Sequence, residues 1–110
     1  VMEFNSSCRL RGEGDTLPAR KMSHIARRLG MAIPSPKLGA RNLVSYLRAL
    51  RVRVGIPTTL AQCGVSKDAF EAEKEHIIEC ALADACTATN PRKATPEDVE
   101  KILSGVAKFR

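Results

Sequence analysis

The chain has 110 residues and a formal net charge of +6, a length that allows one domain with a modest core but not two. It contains no Trp, one Tyr and three Phe, so we expect the core to be aliphatic. The sequence shows neither an apolar run of the ~20 residues that a membrane-spanning helix requires nor a secretory signal pattern, and we expect a cytoplasmic location without a membrane partner.

Positive charge is concentrated in the first half of the chain. Residues 1–55 contain eleven Lys and Arg against three Asp and Glu, whereas residues 56–110 contain seven against nine. A basic half is typical of nucleic-acid binding, of a solvated helix face, or of a surface that meets an acidic domain. We favour the last two interpretations.

The absence of strand-like alternation and of internal repeats predicts an all-α fold, a small helical bundle of about four main helices plus a short helical turn. Residues 1–18 are mixed in charge and rich in turn formers, which predicts a partly irregular lead-in segment. Residues 19–110 are predicted to form a single all-helical domain.

The first two helices are predicted from apolar spacing and from the glycines that follow them. Residues 19–29 place Met22, Ile25, Ala26 and Leu29 on one face, and Gly30 is expected to end this helix. A loop with two prolines follows, and residues 38–54 form the second helix, which ends at Gly55.

The second half of the sequence predicts a short turn, a long helix and a final helix. The turn covers residues 58–63 and ends at Gly64, and Ser66 is expected to be the N-cap of a helix that runs through Cys86. The apolar residues of this long helix recur at helical spacing, at Phe70, Ile77, Ile78, Ala81, Leu82 and Ala85. Thr95, Pro96 and Asp98 predict the N-terminus of the last helix.

The cysteines and histidines do not form a motif that predicts a metal site. No C-x-x-C pair occurs among the four cysteines, which predicts reduced thiols rather than a zinc module or a disulfide framework; they are Cys8, Cys63, Cys80 and Cys86. His24 and His76 lie on different predicted helices, and we expect neither to have a second ligand one helical turn away.

Four short segments resemble, in the same order, parts of the iron-containing, NAD(P)-dependent alcohol dehydrogenases. They are VMEFN at residues 1–5, IARRLGM at 25–31, GIPTTLAQCGVSKDAF at 55–70, and ALADACTATNPR with KATPEDVEKIL at 81–103. The resemblance implies that this chain is the C-terminal helical domain of such an oxidoreductase. Enzymes of this family transfer a hydride between NAD(P) and a primary alcohol or its aldehyde, and a bound metal polarises the oxygen.

The resemblance also implies which residues line the cleft between domains. It places Cys86 near the nicotinamide and the substrate as a wall rather than as a nucleophile, with Thr87 and Asn90 beside it. We assign no catalytic residue to this chain. The alternative interpretation of Cys86 is a small buried hydrophobe. Thr87, Asn90 and Arg92 form a polar corner after the long helix, for which structural roles are favoured, and Arg92 is expected to pair with Asp84 or with another domain.

The family's cofactors are expected to be held elsewhere. Its iron is bound by one aspartate and three histidines, which lie upstream of the part that this chain resembles, and Asp84 does not match that aspartate. No dinucleotide-binding loop is present, since the GEG of residues 12–14 follows no predicted strand. We therefore expect this chain alone to bind no iron and to be inactive.

The expected partner is an upstream nucleotide-binding domain of the same protein. An apolar patch at Val1, Met2 and Phe4 is expected to be left exposed without it, which would permit self-association. The alternative function is a basic helical nucleic-acid-binding or protein-interaction module, supported by the arginines of the second helix, Arg41, Arg48, Arg51 and Arg53.

Overall fold

The structure is a computed structural model that describes residues 1–6 and 16–109. Over these residues it consists of helices and contains no strand, which confirms the all-α prediction. None of the described helices combines the length and apolar character needed to cross a membrane. The chain divides into two compact units, Val1–Arg53 and Val54–Arg110, and each is described by itself. The single domain predicted over residues 19–110 stays a prediction, and residues 7–15 of the predicted lead-in lie outside the described residues.

The first unit contains three helices, α1 (Met2–Ser6), α2 (Leu17–Arg28) and α3 (Pro36–Arg53). Helices α2 and α3 each begin two residues before the predicted start, because Pro18 and Pro36 lie in the first turn, where a backbone N–H has no partner within the helix. Thr16 caps α2, and its Oγ1 accepts a hydrogen bond from the N–H of Ala19 at 3.2 Å. The glycine stops are confirmed by left-handed backbone angles, φ 81° at Gly30 and φ 75° at Gly55.

Small side chains form the contact between α2 and α3. The buried residues of these helices are Ala19, Ser23 and Ala26 in α2, and Gly39, Ala40 and Leu43 in α3. Five of the six are no larger than serine, so the two backbones approach closely. The prediction that the large apolar residues of α2 form its buried face is therefore wrong in part. Ile25 and Leu29 are 50% and 51% exposed, while Ala26 is fully buried.

The second unit contains a 3-10 turn (Ala61–Cys63) and three helices, α4 (Lys67–Ala83), α5 (Ala85–Ala88) and α6 (Pro96–Ala107). Ser66 is the N-cap of α4, as predicted, and its Oγ accepts from the N–H of Ala69 at 3.2 Å. The predicted start of α6 is also confirmed, because Thr95 and Asp98 form a capping box in which each side chain accepts from the other residue's N–H. Gly64 ends the 3-10 turn with φ 87°.

Helices α4 and α6 pack against each other within this unit. Phe70 of α4 is buried, and its ring centroid lies 5.4 Å from that of Phe109. Lys74 of α4 places Nζ 3.0 Å from Oε1 of Glu100 in α6 and 3.6 Å from Oε2 of Glu71. The hydrogen bond to Glu100 is the main reason that the pKa of Lys74 is raised.

The apolar face predicted for the long helix is only partly covered. Phe70 is buried, Ile78, Ala81 and Leu82 are half-buried, and Ile77 is 37% exposed. The predicted continuation of this helix through Cys86 is wrong, because α4 ends at Ala83.

Candidate functional site

The long helix breaks at Asp84, which begins the polar corner predicted from sequence. The N–H of Asp84 makes the last helical hydrogen bond of α4, to the carbonyl of Cys80 at 3.0 Å, but its backbone is extended at φ −64° and ψ 131°. Its Oδ1 accepts a hydrogen bond from the N–H of Cys86 at 2.7 Å, so Asp84 is both the C-cap of α4 and the N-cap of α5. The side chain thereby replaces the backbone acceptor that a continuous helix would offer.

Thr87 stabilises this break from the other side. Its Oγ1 donates a hydrogen bond to the carbonyl oxygen of Ala81, which would accept from residue 85 if the helix continued. Its own N–H donates to the carbonyl of Asp84 at 3.0 Å. The Thr87 hydroxyl is therefore a structural donor at the corner and satisfies a carbonyl that the break leaves free.

We expect Thr87→Val to reduce the free energy of unfolding of this unit by about 1–2 kcal/mol, because the part-buried carbonyl of Ala81 loses its hydrogen-bond donor. Thr87→Ser keeps the hydroxyl and is the matched control, expected to cost much less. Urea unfolding of the two variants tests this. Equal stabilities for valine and serine would contradict the assignment.

Among the other corner residues, the side chain of Asn90 is hydrogen-bonded to the backbone and that of Cys86 is exposed. Asn90 is half-buried, and its Nδ2 donates to the carbonyl of Arg92, two residues later. Cys86 is an exposed free thiol, so the interpretation of Cys86 as a buried hydrophobe is wrong. The side chains of Thr87 and Asn90 thus bond to backbone carbonyls, whereas the side chain of Cys86 is exposed to solvent.

Arg92 connects the corner to the start of α6. Its Nη2 lies 3.9 Å from Oδ1 of Asp98, a partner that was not considered from sequence. Oδ1 of Asp84, which was considered, accepts from the N–H of Cys86. The pKa of Asp98 is lowered chiefly by its hydrogen bond from the N–H of Thr95, with smaller contributions from the Thr95 hydroxyl and from the charge of Arg92. The capping box and the corner are therefore linked through one carboxylate.

The lowered pKa of Asp98 predicts how stability depends on pH. A carboxyl group whose pKa is lower in the folded state stabilises the fold above its unfolded value, and this contribution is lost as the pH falls through the folded value. We therefore expect thermal unfolding temperatures below roughly pH 4 to fall more steeply for the wild-type chain than for Asp98→Asn. Glu75→Gln removes a carboxylate outside the capping box and is the control. Parallel profiles for the wild-type chain and Asp98→Asn would contradict the prediction.

The surroundings of His76 differ from those expected from the sequence. His24 is exposed on α2, whereas His76 of α4 has Cys80 one turn later, with Sγ 3.6 Å from Nε2. The expectation that neither histidine has a second ligand within a turn is wrong for His76. The signal in the sequence was the spacing of four residues, which places two side chains on the same face of a helix.

The described side chains do not supply the iron ligands of the family that the sequence resembles. Within residues 1–6 and 16–109, no three His, Cys, Asp or Glu side chains converge as a metal site. The whole sequence contains two histidines, fewer than the three that the family's ligand set requires. The GEG of residues 12–14 lies outside the described residues.

The arginines of α3 do not form one continuous stripe. Arg41 and Arg48 lie on the same face, but Arg48 is bound to Glu3 of α1 with 2.9 Å between Nη2 and Oε2. Arg51 is half-buried, and Arg53 follows Arg48 by five residues, which places it about 140° further around the helix. This geometry weakens the argument for a nucleic-acid interface.

Comparison with known proteins gives a consistent set of relatives. The chain matches the family described as "Fe-containing alcohol dehydrogenase family, C-terminal" over residues 1–107. NADPH-dependent butanol dehydrogenase of Clostridium saccharobutylicum is 28% identical over 106 residues, which are 96% of this chain and 25% of that protein. Lactaldehyde reductase of Escherichia coli (strain K12) is 39% identical over 84 residues, 74% of this chain and 21% of that protein.

A third relative, the NAD-dependent methanol dehydrogenase of Bacillus methanolicus, is 31% identical over 85 residues, 76% of this chain and 21% of that protein. The chain therefore spans about a quarter or less of the length of these three relatives.

Proposed function

Because this chain belongs to the iron-containing alcohol dehydrogenase family as a C-terminal domain, we propose that it forms one wall of the active-site cleft in an NAD(P)-dependent enzyme that interconverts alcohols and aldehydes. The relatives named for NADPH and for NAD support the cofactor class. The observation that carries the proposal is the corner after α4, where Cys86 is exposed while the side chains of Thr87 and Asn90 are bonded to backbone carbonyls.

The proposed role of the corner is to hold a small, weakly polar side chain at a fixed place in the cleft. Asp84 fixes the start of α5 through the N–H of Cys86, and Thr87 ties α5 back to α4. Asn90 bonds the chain that leaves the corner. We assign these residues to positioning, and no proton or hydride transfer step to any of them.

The proposed partner is an N-terminal, nucleotide-binding domain of the same protein. Several large apolar side chains of the first unit are at least 38% exposed and offer area that an adjoining domain would cover; besides Val1 they are Leu17, Ile25, Leu29, Leu38, Tyr46, Leu47 and Val52. The greater length of the relatives agrees with such a partner. Self-association stays a prediction, supported by Val1 at 69% exposure, although Met2 and Phe4 are half-buried. The cytoplasmic location also stays a prediction.

The proposal is tested by transferring this chain into a relative. A chimera in which the 110 residues replace the matching C-terminal part of E. coli lactaldehyde reductase is expected to bind iron and to oxidise NADH or NADPH with short aldehydes. The isolated chain is the control and is expected to show no turnover, because it lacks the ligand set described above. A chimera that unfolds cooperatively and contains iron but shows no turnover would contradict the proposal, as would turnover by the isolated chain.

A further inference from the structure

The short helix α5, which carries Cys86, is held by hydrogen bonds at both ends. At its start, Asp84 and Thr87 bond it to α4, as described above. At its end, the N–H of Asn90 donates to the carbonyl of Thr87 at 3.2 Å. A helix of 4 residues is too short to be stable through its own hydrogen bonds, so the position of α5 depends on these connections.

Arg92 continues the connection from the end of α5 to α6. The Nδ2 of Asn90 donates to the carbonyl oxygen of Arg92, and the guanidinium of Arg92 reaches Asp98, with Nη2 3.9 Å from Oδ1. The other carboxylate oxygen, Oδ2, accepts from the N–H of Thr95 at 3.1 Å, so Asp98 is itself fixed at the start of α6. Pro91 lies between the two linked residues, and its ring fixes one backbone angle of the connection.

The ion pair between Arg92 and Asp98 is partly shielded from water. Its two side chains are 26% and 20% exposed, whereas those of the pair between Arg48 and Glu3 are 60% and 63% exposed. Lower exposure reduces screening by solvent and salt. The lowered pKa of Asp98 keeps its carboxylate charged at neutral pH, so Arg92 has a charged partner there.

We propose that Arg92 is a further positioning residue of the cleft, which together with Asn90 connects the end of α5 to α6 and so fixes the place of Cys86. The inference rests on the proposed function, since it concerns the wall that Cys86 provides there. Without the guanidinium, α5 is held firmly only at its α4 end, and its other end moves more freely. A displaced wall changes how well a substrate fits, so the loss is expected in KM more than in kcat.

The lactaldehyde reductase chimera tests the consequence for the cleft. Arg92→Ala is expected to raise KM for propanal at least about threefold with less than about a twofold change in kcat, and Arg92→Lys, which keeps the charge, to recover part of the loss. Lys93→Ala is the matched control and is expected to leave KM unchanged, because Lys93 is exposed and belongs to none of the described ion pairs. Destabilisation alone would reduce the amount of active enzyme, and with it kcat, without raising KM.

A double-mutant cycle shows whether Arg92 acts through Asp98. Asp98→Asn removes the charge that Arg92 meets but keeps a side-chain oxygen as acceptor for Thr95, and it is expected to raise KM by a similar factor. The double variant is expected to raise KM no further than Arg92→Ala alone. Effects of the two substitutions that multiply would overturn the proposal, because Arg92 would then act through a different contact.

Amide exchange in the isolated chain tests the connection without any enzyme activity. Arg92→Ala is expected to speed exchange of the N–H groups of Thr89 and Asn90 at least about threefold, while exchange in the middle of α4 stays as in the wild-type chain and Lys93→Ala has no effect. A chimera that contains iron but shows no turnover contradicts the proposed function. Unchanged exchange at Thr89 and Asn90, or an unchanged KM in an active chimera, overturns the role of Arg92.

Discussion

Gly39→Ala is expected to lower the free energy of unfolding of the first unit by about 1–3 kcal/mol, although alanine is the better helix former. A Cβ built at Gly39 lies 2.7 Å from Cβ of Ser23 and 2.9 Å from Cγ2 of Ile33. The Ser23 Cβ is fixed to the backbone of α2, so the two helices must separate to accept the methyl group. Because α2 and α3 meet through small buried side chains, that separation opens the whole contact.

Gly105→Ala is the matched control for this prediction. Gly105 lies within α6, and a Cβ built there has no neighbour within 4 Å, so we expect a gain of about 0.5–1 kcal/mol from helix propensity alone. Urea unfolding measures both free energies, and amide exchange in α2 and α3 assigns the loss to the first unit. The double variant Ser23→Gly with Gly39→Ala is expected to recover part of the loss. Two alanine variants that change stability by the same amount and sign would contradict the close contact.

Local chemistry in the sequence was sufficient to predict four of the helix ends. Ser66 and Thr95 are N-caps because their side chains reach an N–H three residues later, and Gly30 and Gly55 end helices because they adopt positive φ. These signals depend only on neighbouring residues. They were therefore visible without knowledge of packing.

The buried face of α2 could not be predicted from apolar periodicity. That method counts large apolar residues and favours Ile25 and Leu29, whereas the contact with α3 selects small residues such as Ser23. Close approach of two backbones is a property of the pair of helices. The sequence of either helix alone does not reveal it.

The break at Asp84 was missed for a related reason. Ala81, Leu82, Ala83 and Ala85 all favour a helix, so propensity predicted that α4 would continue. The competing interactions are the carboxylate of Asp84 on the N–H of Cys86 and the hydroxyl of Thr87 on the carbonyl of Ala81. The sequence predicted the corner after Cys86, whereas its start at Asp84 and the exposure of Cys86 required the structure.

The exposed thiol leads to the prediction with the largest effect on activity. In the lactaldehyde reductase chimera, Cys86→Tyr is expected to lower kcat/KM at least about tenfold, a loss of about 1.4 kcal/mol of transition-state stabilisation, because a large ring enters the proposed cleft. Cys63→Tyr is the matched control. Cys63 is also an exposed free cysteine, in the 3-10 turn, and its replacement is expected to leave kcat/KM unchanged.

The Cys86→Ala variant distinguishes a residue that only lines the cleft from a catalytic nucleophile. A side chain that only shapes the cleft tolerates the loss of its sulfur, so we expect less than about a threefold change in kcat/KM, whereas a thiol that forms a covalent intermediate is needed in every turnover. An inactive alanine variant with normal iron content and unfolding temperature would contradict the wall assignment. Full activity of Cys86→Tyr would place Cys86 outside the cleft, and it would do so without affecting the assignment of the chain to its family, which depends on the match over residues 1–107.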